Sequence, residues 1–320
     1  MKKAVLTTSI ACFIVLFLVI GCSKNSTSST PSTADETALQ TTVTQNASDQ
    51  NNIQTDDDAI ANDATAATET VPGFGINAAS NNLKITTFGA TDSSSVPGIK
   101  IDTSFVRLRI PRIVLLYRGI ADISGIIKKG KITVELIKGK RWTDTGAILK
   151  ETDSVTITRN GNTRIYDGVR YVTNVSGGSY YKGPTNPFVY TMHKSGTVTF
   201  ENGTVRSFWI ARKNTFNKQT LTFTSDGDTT VNGSLCSIGG ITRFGNPFLV
   251  QSPQTYISNY GCGFDRPTAG IRVHISNGQL VTVTFGVDTA GTQITSGCAY
   301  GYKVNWTKLS GQKGTAVISY

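Results

Sequence analysis

The chain has 320 residues, 38% of them hydrophobic, and a net charge of +10, enough apolar content for one large or two smaller cores. Its bases form no long run, which reads as solubilising surface charge and gives no reason to expect a nucleic-acid partner. Two histidines, and no GxSxG, HExxH, Walker or EF-hand pattern, remove the commonest signatures of hydrolytic, zinc, nucleotide and calcium chemistry.

Met1-Lys2-Lys3 precede an uncharged apolar stretch from Ala4 to Ile20, the layout of a secretory signal peptide. The stretch is near the length of a bilayer-spanning helix, so an uncleaved anchor is the competing reading. It ends in Leu18-Val19-Ile20-Gly21-Cys22, which resembles the lipobox of bacterial lipoproteins. The resemblance implies that residues 1–21 are removed and that Cys22 carries several acyl chains. Each buried methylene contributes about 0.8 kcal/mol, so several chains anchor stably where one does so reversibly. Ser23 after the cysteine resembles lipoproteins sent to the outer membrane, and both the periplasmic and the cell-surface orientation stay open.

Residues 22–71 are rich in Ser, Thr, Asn, Asp, Gln and Ala, and positions 23–71 hold eight acids against one base, Lys24. Such a composition buries too little apolar surface to fold and predicts a disordered tether. Its 49 residues from Ser23 would span about 160 Å fully extended and roughly 40 Å as a flexible coil. Asp56-Asp57-Asp58 reads as a solvated charge run. Residues 72–320 keep 28 bases and 13 acids, a net of +15. Outside the cytoplasm a basic domain meets lipopolysaccharide phosphates and anionic glycans first, which makes them its candidate partners.

Beyond Pro72 the pattern becomes short alternating stretches broken by Gly, Asn and Asp, which predicts an all-β fold. Antiparallel sheets are expected in one large or two smaller sandwich-like lobes, 72–176 and 177–320. Strands are predicted at 83–88, 105–117 with a break at Pro111, 131–137, 155–158, 170–175, 197–201 and 204–212. Others are expected at 220–224, 255–260, 271–275, 280–285, 302–307 and 315–320. Asn-Gly pairs at Asn160, Asn202, Asn232 and Asn277 mark two-residue type I′ hairpins. At Asn202 this pairs Phe200 with Val205 and Val198 with Ser207, placing Val198, Phe200, Val205 and Trp209 on one core face. At Asn277 it pairs Ile275 with Leu280 and puts Arg272 and His274 on the face of Val281, Val283 and Phe285. A sheet covered on both faces, or a β-bulge, would explain that polar and apolar mixture. Gly130, Gly196 and Gly270 each precede an alternating strand, a weak repeat 66 and then 74 residues apart, best read as duplicated lobes. Their boundary is placed in the loop from Ser176.

After Cys12 and Cys22, three cysteines remain, Cys236, Cys262 and Cys298. One pair and one free thiol are expected outside the cytoplasm, without metal-ligand spacing. Short motifs across residues 105–305, including Arg109-Ile110-Pro111-Arg112, Lys128-Lys129-Gly130-Lys131-Ile132, Asn160-Gly161-Asn162, Gly196 to Gly203 and the run from Cys262 to Cys298, resemble a group of uncharacterised lipoproteins from Bacteroidota. The resemblance implies repeated β-lobes and a Cys262–Cys298 disulfide. The group's acidic Asp-Phe-Gly segment is here Tyr117-Arg118-Gly119, and its Asp-Tyr-Gly end is Thr284-Phe285-Gly286, so no cation or catalytic role follows for those positions.

Neither a metal nor another cofactor is expected. Tyr180 and Tyr181 in a Gly-rich loop, and Trp142 beside Lys140 and Arg141, are candidate ligand contacts, since aromatics flanked by polar groups suit a sugar or peptide. The competing reading has these rings capping the core. The expected function is therefore a non-enzymatic, lipid-anchored binding or structural module of the cell envelope, with carbohydrate binding or processing as the alternative. A β-barrel pore is the remote one, because most strands fall short of the apolar band that spans a membrane.

Overall fold

A computed structural model describes residues 45, 49–50, 52–61, 63–65, 67–68, 71, 99–102, 110–122, 125–180, 186–262, 266–307, 311 and 313–320. Cys22, the strand expected at 83–88 and Tyr181 lie outside the described residues. The fold is all-β in its sheet, and every ladder is antiparallel. In order the strands are β1 (Ile99–Asp102), β2 (Arg112–Ala121), β3 (Ile127–Lys138), β4 (Ile148–Arg159), β5 (Asn162–Asn174), β6 (Phe188–Phe200), β7 (Val205–Asn217) and β8 (Thr222–Gly227). They continue as β9 (Thr229–Val231), β10 (Ser234–Ile241), β11 (Pro247–Asn259), β12 (Pro267–Ser276), β13 (Gln279–Val287), β14 (Gly301–Thr307) and β15 (Lys313–Ser319).

Most of the chain is one meander in which each strand pairs with the next. The exception lies between β7 and β11, where β10 pairs with the start of both strands and β8 with the end of both. Two short strands thus share one strand's place end to end. The sheet passes from β5 to β6 through eleven paired positions, so the boundary expected near Ser176 does not interrupt it. The repeated glycines 130, 196 and 270 lie inside β3, β6 and β12. At Gly130 and Gly270 the backbone is left-handed, with φ of 121° and 131°. A Cβ would overlap the Ser154 carbonyl oxygen at the first and lie 2.8 Å from the Tyr256 Cα at the second. They mark close backbone approach within strands, a common reason for glycine inside a sheet.

The largest departure from the sequence reading is in the supposed tether. Its described residues between 45 and 68 are helical, and this helix, α1, is buried along one side at Asp49, Ile53, Asp56, Ile60, Asp63 and Ala67, with Gln50, Asp57 and Ala64 beside them. Those spacings of three and four residues are helical periodicity. For these residues the expectation of a disordered acidic linker is corrected. Aspartate supplies as many positions of this buried side (Asp49, Asp56, Asp57, Asp63) as Ile and Ala together (Ile53, Ile60, Ala64, Ala67), which breaks up the hydrophobic pattern that would reveal it. Ile53, Ile60, Ala64 and Ala67 join one core cluster with residues from β2 through β7, β10 and β11.

Three of the Asn-Gly turns are type I′ as expected, with positive φ at both residues: Asn160-Gly161, Asn232-Gly233 and Asn277-Gly278. The fourth differs. At 202–203 only the glycine is left-handed, and Phe200 exchanges hydrogen bonds with Thr204 and Gly203, giving a three-residue loop with a bulge-type glycine. The register therefore shifts by one, pairing Val198 with Arg206 and Thr197 with Ser207. A one-residue shift moves every following side chain to the other face. Arg206, Phe208 and Ile210 point inward, Val205 is half exposed, and Trp209 lies on the outer face. There its ring occupies the space above Gly239, where a Cβ would meet Trp209 Cζ2 at 2.5 Å.

Candidate functional site

The inner face of the sheet is charged, and α1 is its counterpart. Alternation along each strand sends Glu151 and Asp153 of β4, Arg164, Tyr166 and Arg170 of β5, Lys194 of β6, Arg206 and Arg212 of β7 and Arg272 of β12 inward, where all are buried. Asp56 accepts from Arg164 at 2.5 Å and the Tyr166 hydroxyl at 2.6 Å, with Arg159 at 3.1 Å. Asp57 is 2.7 Å from Arg170 and 2.5 Å from Lys194. Each of those cations also holds a sheet carboxylate, Arg170 with Glu151 at 2.7 Å and Lys194 with Asp153 at 2.8 Å. Asp63 closes this end by accepting from Tyr117 at 2.7 Å and Lys128 at 2.6 Å. At the other end Asp49 pairs with Arg243, Gln50 with Arg206, Gln54 with Arg272, and Asp58 with Arg212 at 3.5 Å.

Gly168 makes part of this packing possible. It sits on the inner face between Asp153 and Gly196 in the cross-strand row, and a Cβ there would lie 2.8 Å from the Lys194 Cε and 3.3 Å from an Asp153 oxygen. Without a side chain at 168 the Lys194 stem can cross to Asp153.

Burial by itself would raise the Asp57 pKa, but Arg170 and Lys194 overcome it and hold the carboxyl at about 2. Glu151 is pushed the other way, since burial outweighs Arg170. Burial lowers Arg206 and Arg272 to about 10, and Arg212 adds to the effect on Arg272. His274 is lowered to about 3 by burial and then by Arg272 and Arg206, so it is neutral at physiological pH. A neutral imidazole and stacked guanidiniums account for the polar and apolar mixture on β12 and β13. Arg272 lies 4.7 Å from the Tyr256 ring centre and 5.6 Å from that of Phe285, and both contacts are attractive.

The charge asymmetry of the sequence acquires a cause here. The acids of residues 49–63 and the bases of the sheet are two sides of one internal interface. Much of the positive charge attributed to the protein surface is turned inward, which lessens the argument for an external polyanion.

Trp142 is 2% exposed, with its ring 6.3 Å from Phe188 at a near-perpendicular angle. Tyr180 packs on Phe188, Tyr190 and Phe216, and its hydroxyl donates to Tyr190 at 2.6 Å. Trp142 belongs to the core and Tyr180, partly buried, packs against it, the arrangement of the competing core-capping reading. Lys140 and Arg141 are exposed, and their backbone N–H groups donate to Asp144 at 2.9 Å, forming a turn that packs Trp142 inward. Cys262 and Cys298 form the disulfide, with Cα atoms 5.2 Å apart, and Cys236 is a buried free thiol. Among the described residues no cluster of His, Cys, Asp and Glu fits a metal ion. Compared with family models, curated proteins and solved structures, the chain matches none.

Proposed function

We propose that this chain is a lipid-anchored protein of the outer membrane, tethered through Cys22, whose folded part is a non-enzymatic binding or structural module. The observation that carries this reading is the Cys262–Cys298 bridge, since disulfides persist outside the reducing cytoplasm, in a chain whose residues 18–22 read as a lipobox. The ion-paired interior supports the second half. The carboxylates of α1 and β4 are engaged by cations that fix the helix in place, a structural use of groups that a hydrolase would leave facing substrate. Taking α1 as part of the body shortens the leash: the 23 residues from Cys22 to Thr44 reach at most about 80 Å.

The test is metabolic labelling with an alkyne fatty acid in a diderm bacterial host. Wild type should be labelled and recovered in outer-membrane fractions, and Cys22→Ala should be unlabelled and released. Labelling that survives the substitution overturns the anchor.

Carbohydrate binding remains the second reading, on different residues from those expected. On the outer face of β5 and β6, Tyr171 is 44% exposed and pairs across with His193, whose ring nitrogen lies 2.8 Å from Asp228. A glycan array in which Tyr171→Ala loses signal favours this reading. Against a pore, Lys129 and Lys131 stand exposed among the outward positions of β3, where a lipid-facing strand would be apolar.

A further inference from the structure

The charge balance across α1 is uneven along its length. Between β2 and β6, five carboxylates (Asp56, Asp57, Asp63, Glu151 and Asp153) meet five cations (Lys128, Arg159, Arg164, Arg170 and Lys194). Toward β7 and β12 the described residues supply two carboxylates, Asp49 and Asp58, for four cations, Arg206, Arg212, Arg243 and Arg272. The helix presents Gln50 and Gln54 where its other half presents aspartate.

The shortfall is sharpest at Arg212 and Arg272. They are 3% and 5% exposed. Among the described residues no carboxylate lies within ion-pair distance of Arg272. Among the described residues Arg212 has only Asp58 as an ion-pair partner, at 3.5 Å, and the Asp58 side chain is 36% exposed. The Nε and Nη2 of Arg212 are buried without a hydrogen-bond partner among the described residues. Tyr256 lies between the two arginines in the sheet, paired with Ser225 of β8, while Arg212 pairs with Gly227 of the same strand. Ser258, fully buried, is on the same side of β11 as Tyr256. Ring stacking and a glutamine oxygen offset part of the cost of burying Arg272, but a buried cation is costly until a counter-charge completes its shell.

We propose that Arg212 and Arg272, with the Tyr256 and Ser258 hydroxyls beside them, form a buried site for one inorganic oxyanion, phosphate or sulfate. Against Arg212 and Arg272 the described residues set one carboxylate, Asp58, which leaves room for an added anion, and the oxygens of a tetrahedral one suit the forked donors of guanidinium groups. The ion would sit under the C-terminal β-strands beside α1 and complete the helix's hold on the sheet where aspartates are lacking.

The test uses the full chain. Sulfate and phosphate are titrated from zero at fixed ionic strength, balanced with chloride, while thermal unfolding is followed. A site that only the folded state offers raises the folded-to-unfolded ratio about tenfold at ten times the dissociation constant. That gain should saturate at millimolar ion in wild type and vanish in Arg272→Gln. A general salting effect rises without saturating and persists in the variant, and that result overturns the proposal. Should Arg272→Gln fail to fold, equilibrium dialysis of wild type with radiolabelled phosphate and sulfate decides. Retention of one ion per chain supports the site, and retention of none refutes it.

Discussion

Asparagine in place of Asp57 keeps the side chain's shape and removes the charge that Arg170 and Lys194 share. Asp57 is fully buried, 2.7 Å and 2.5 Å from those cations, and they hold its pKa at about 2 against an ordinary 3.8. That gap corresponds to roughly 2 to 3 kcal/mol of preference for the charged form. Removing one member of a buried ion network typically costs about 3–5 kcal/mol, because the remaining charges stay buried. Against a total stability of about 5–15 kcal/mol, Asp57→Asn should lower the urea midpoint markedly at pH 7, read from tryptophan fluorescence. Because the folded-state pKa is depressed, this stabilisation is present above about pH 4 and is lost as pH falls toward 2. The variant should therefore show a shallower loss of stability across that interval. Adding Lys194→Met should deepen the deficit, since buried Asp153 then loses the ammonium 2.8 Å away. A variant within 1 kcal/mol of wild type would mean that α1 is not held by these pairs, and the account of the interior would fall with it.

Other expectations follow from particular contacts. Reducing the Cys262–Cys298 bridge, which closes a separation of 36 residues, should cost up to about 4 kcal/mol by the loop-entropy estimate; peptide mapping under non-reducing conditions should link these two cysteines and leave Cys236 free. Gly286→Ala should destabilise far more than Gly278→Ala. Both glycines are left-handed, with φ of 76° and 74°, but a Cβ at 286 would overlap the Thr268 carbonyl oxygen while one at 278 meets nothing within 4 Å. The shared conformational strain is about 1 kcal/mol, and any larger difference in urea denaturation measures the clash. Trp142→Ala should cost about 3–5 kcal/mol as a core truncation without changing a glycan-array profile; a selective loss of glycan signal in a fully stable variant would restore its role as a ligand contact.

The sequence made the sheet legible and hid the helix, for one physical reason. Strands such as β13, where Val281, Val283 and Phe285 alternate with Thr282 and Thr284, follow the apolar rhythm of a half-buried strand. The I′ turn at Asn277-Gly278 then fixes the β12–β13 register as expected. In β4, β5 and β6 the inward positions include Glu151, Asp153, Arg164, Arg170 and Lys194, so charged residues interrupt the apolar alternation and only fragments of 12- and 13-residue strands were expected. The same code hides α1, whose inward Ile53, Ile60, Ala64 and Ala67 are interleaved with aspartates that look solvated until their arginines are found across the fold. Charge asymmetry between residues 23–71 and 72–320 was the available signal, and it admits an internal explanation as readily as an external partner. The disulfide was implied by likeness alone, and the turn at Asn202 misled because Asn-Gly serves a three-residue loop as well as a two-residue one.

Placing α1 ahead of the sheet also sets the order in which the molecule can assemble. Its contacts span from 54 residues, Asp63 to Tyr117, to 218 residues, Gln54 to Arg272, so α1 leaves the ribosome well before the strands that complete its docking surface. Contacts of such separation slow folding, since loop entropy is spent before they form. Before docking, the charges of α1 remain solvated, and the inward arginines of the growing meander remain without their partners. Refolding should therefore show sheet formation, seen by far-ultraviolet dichroism, ahead of the burial of α1, seen by amide exchange at Asp56 and Asp57.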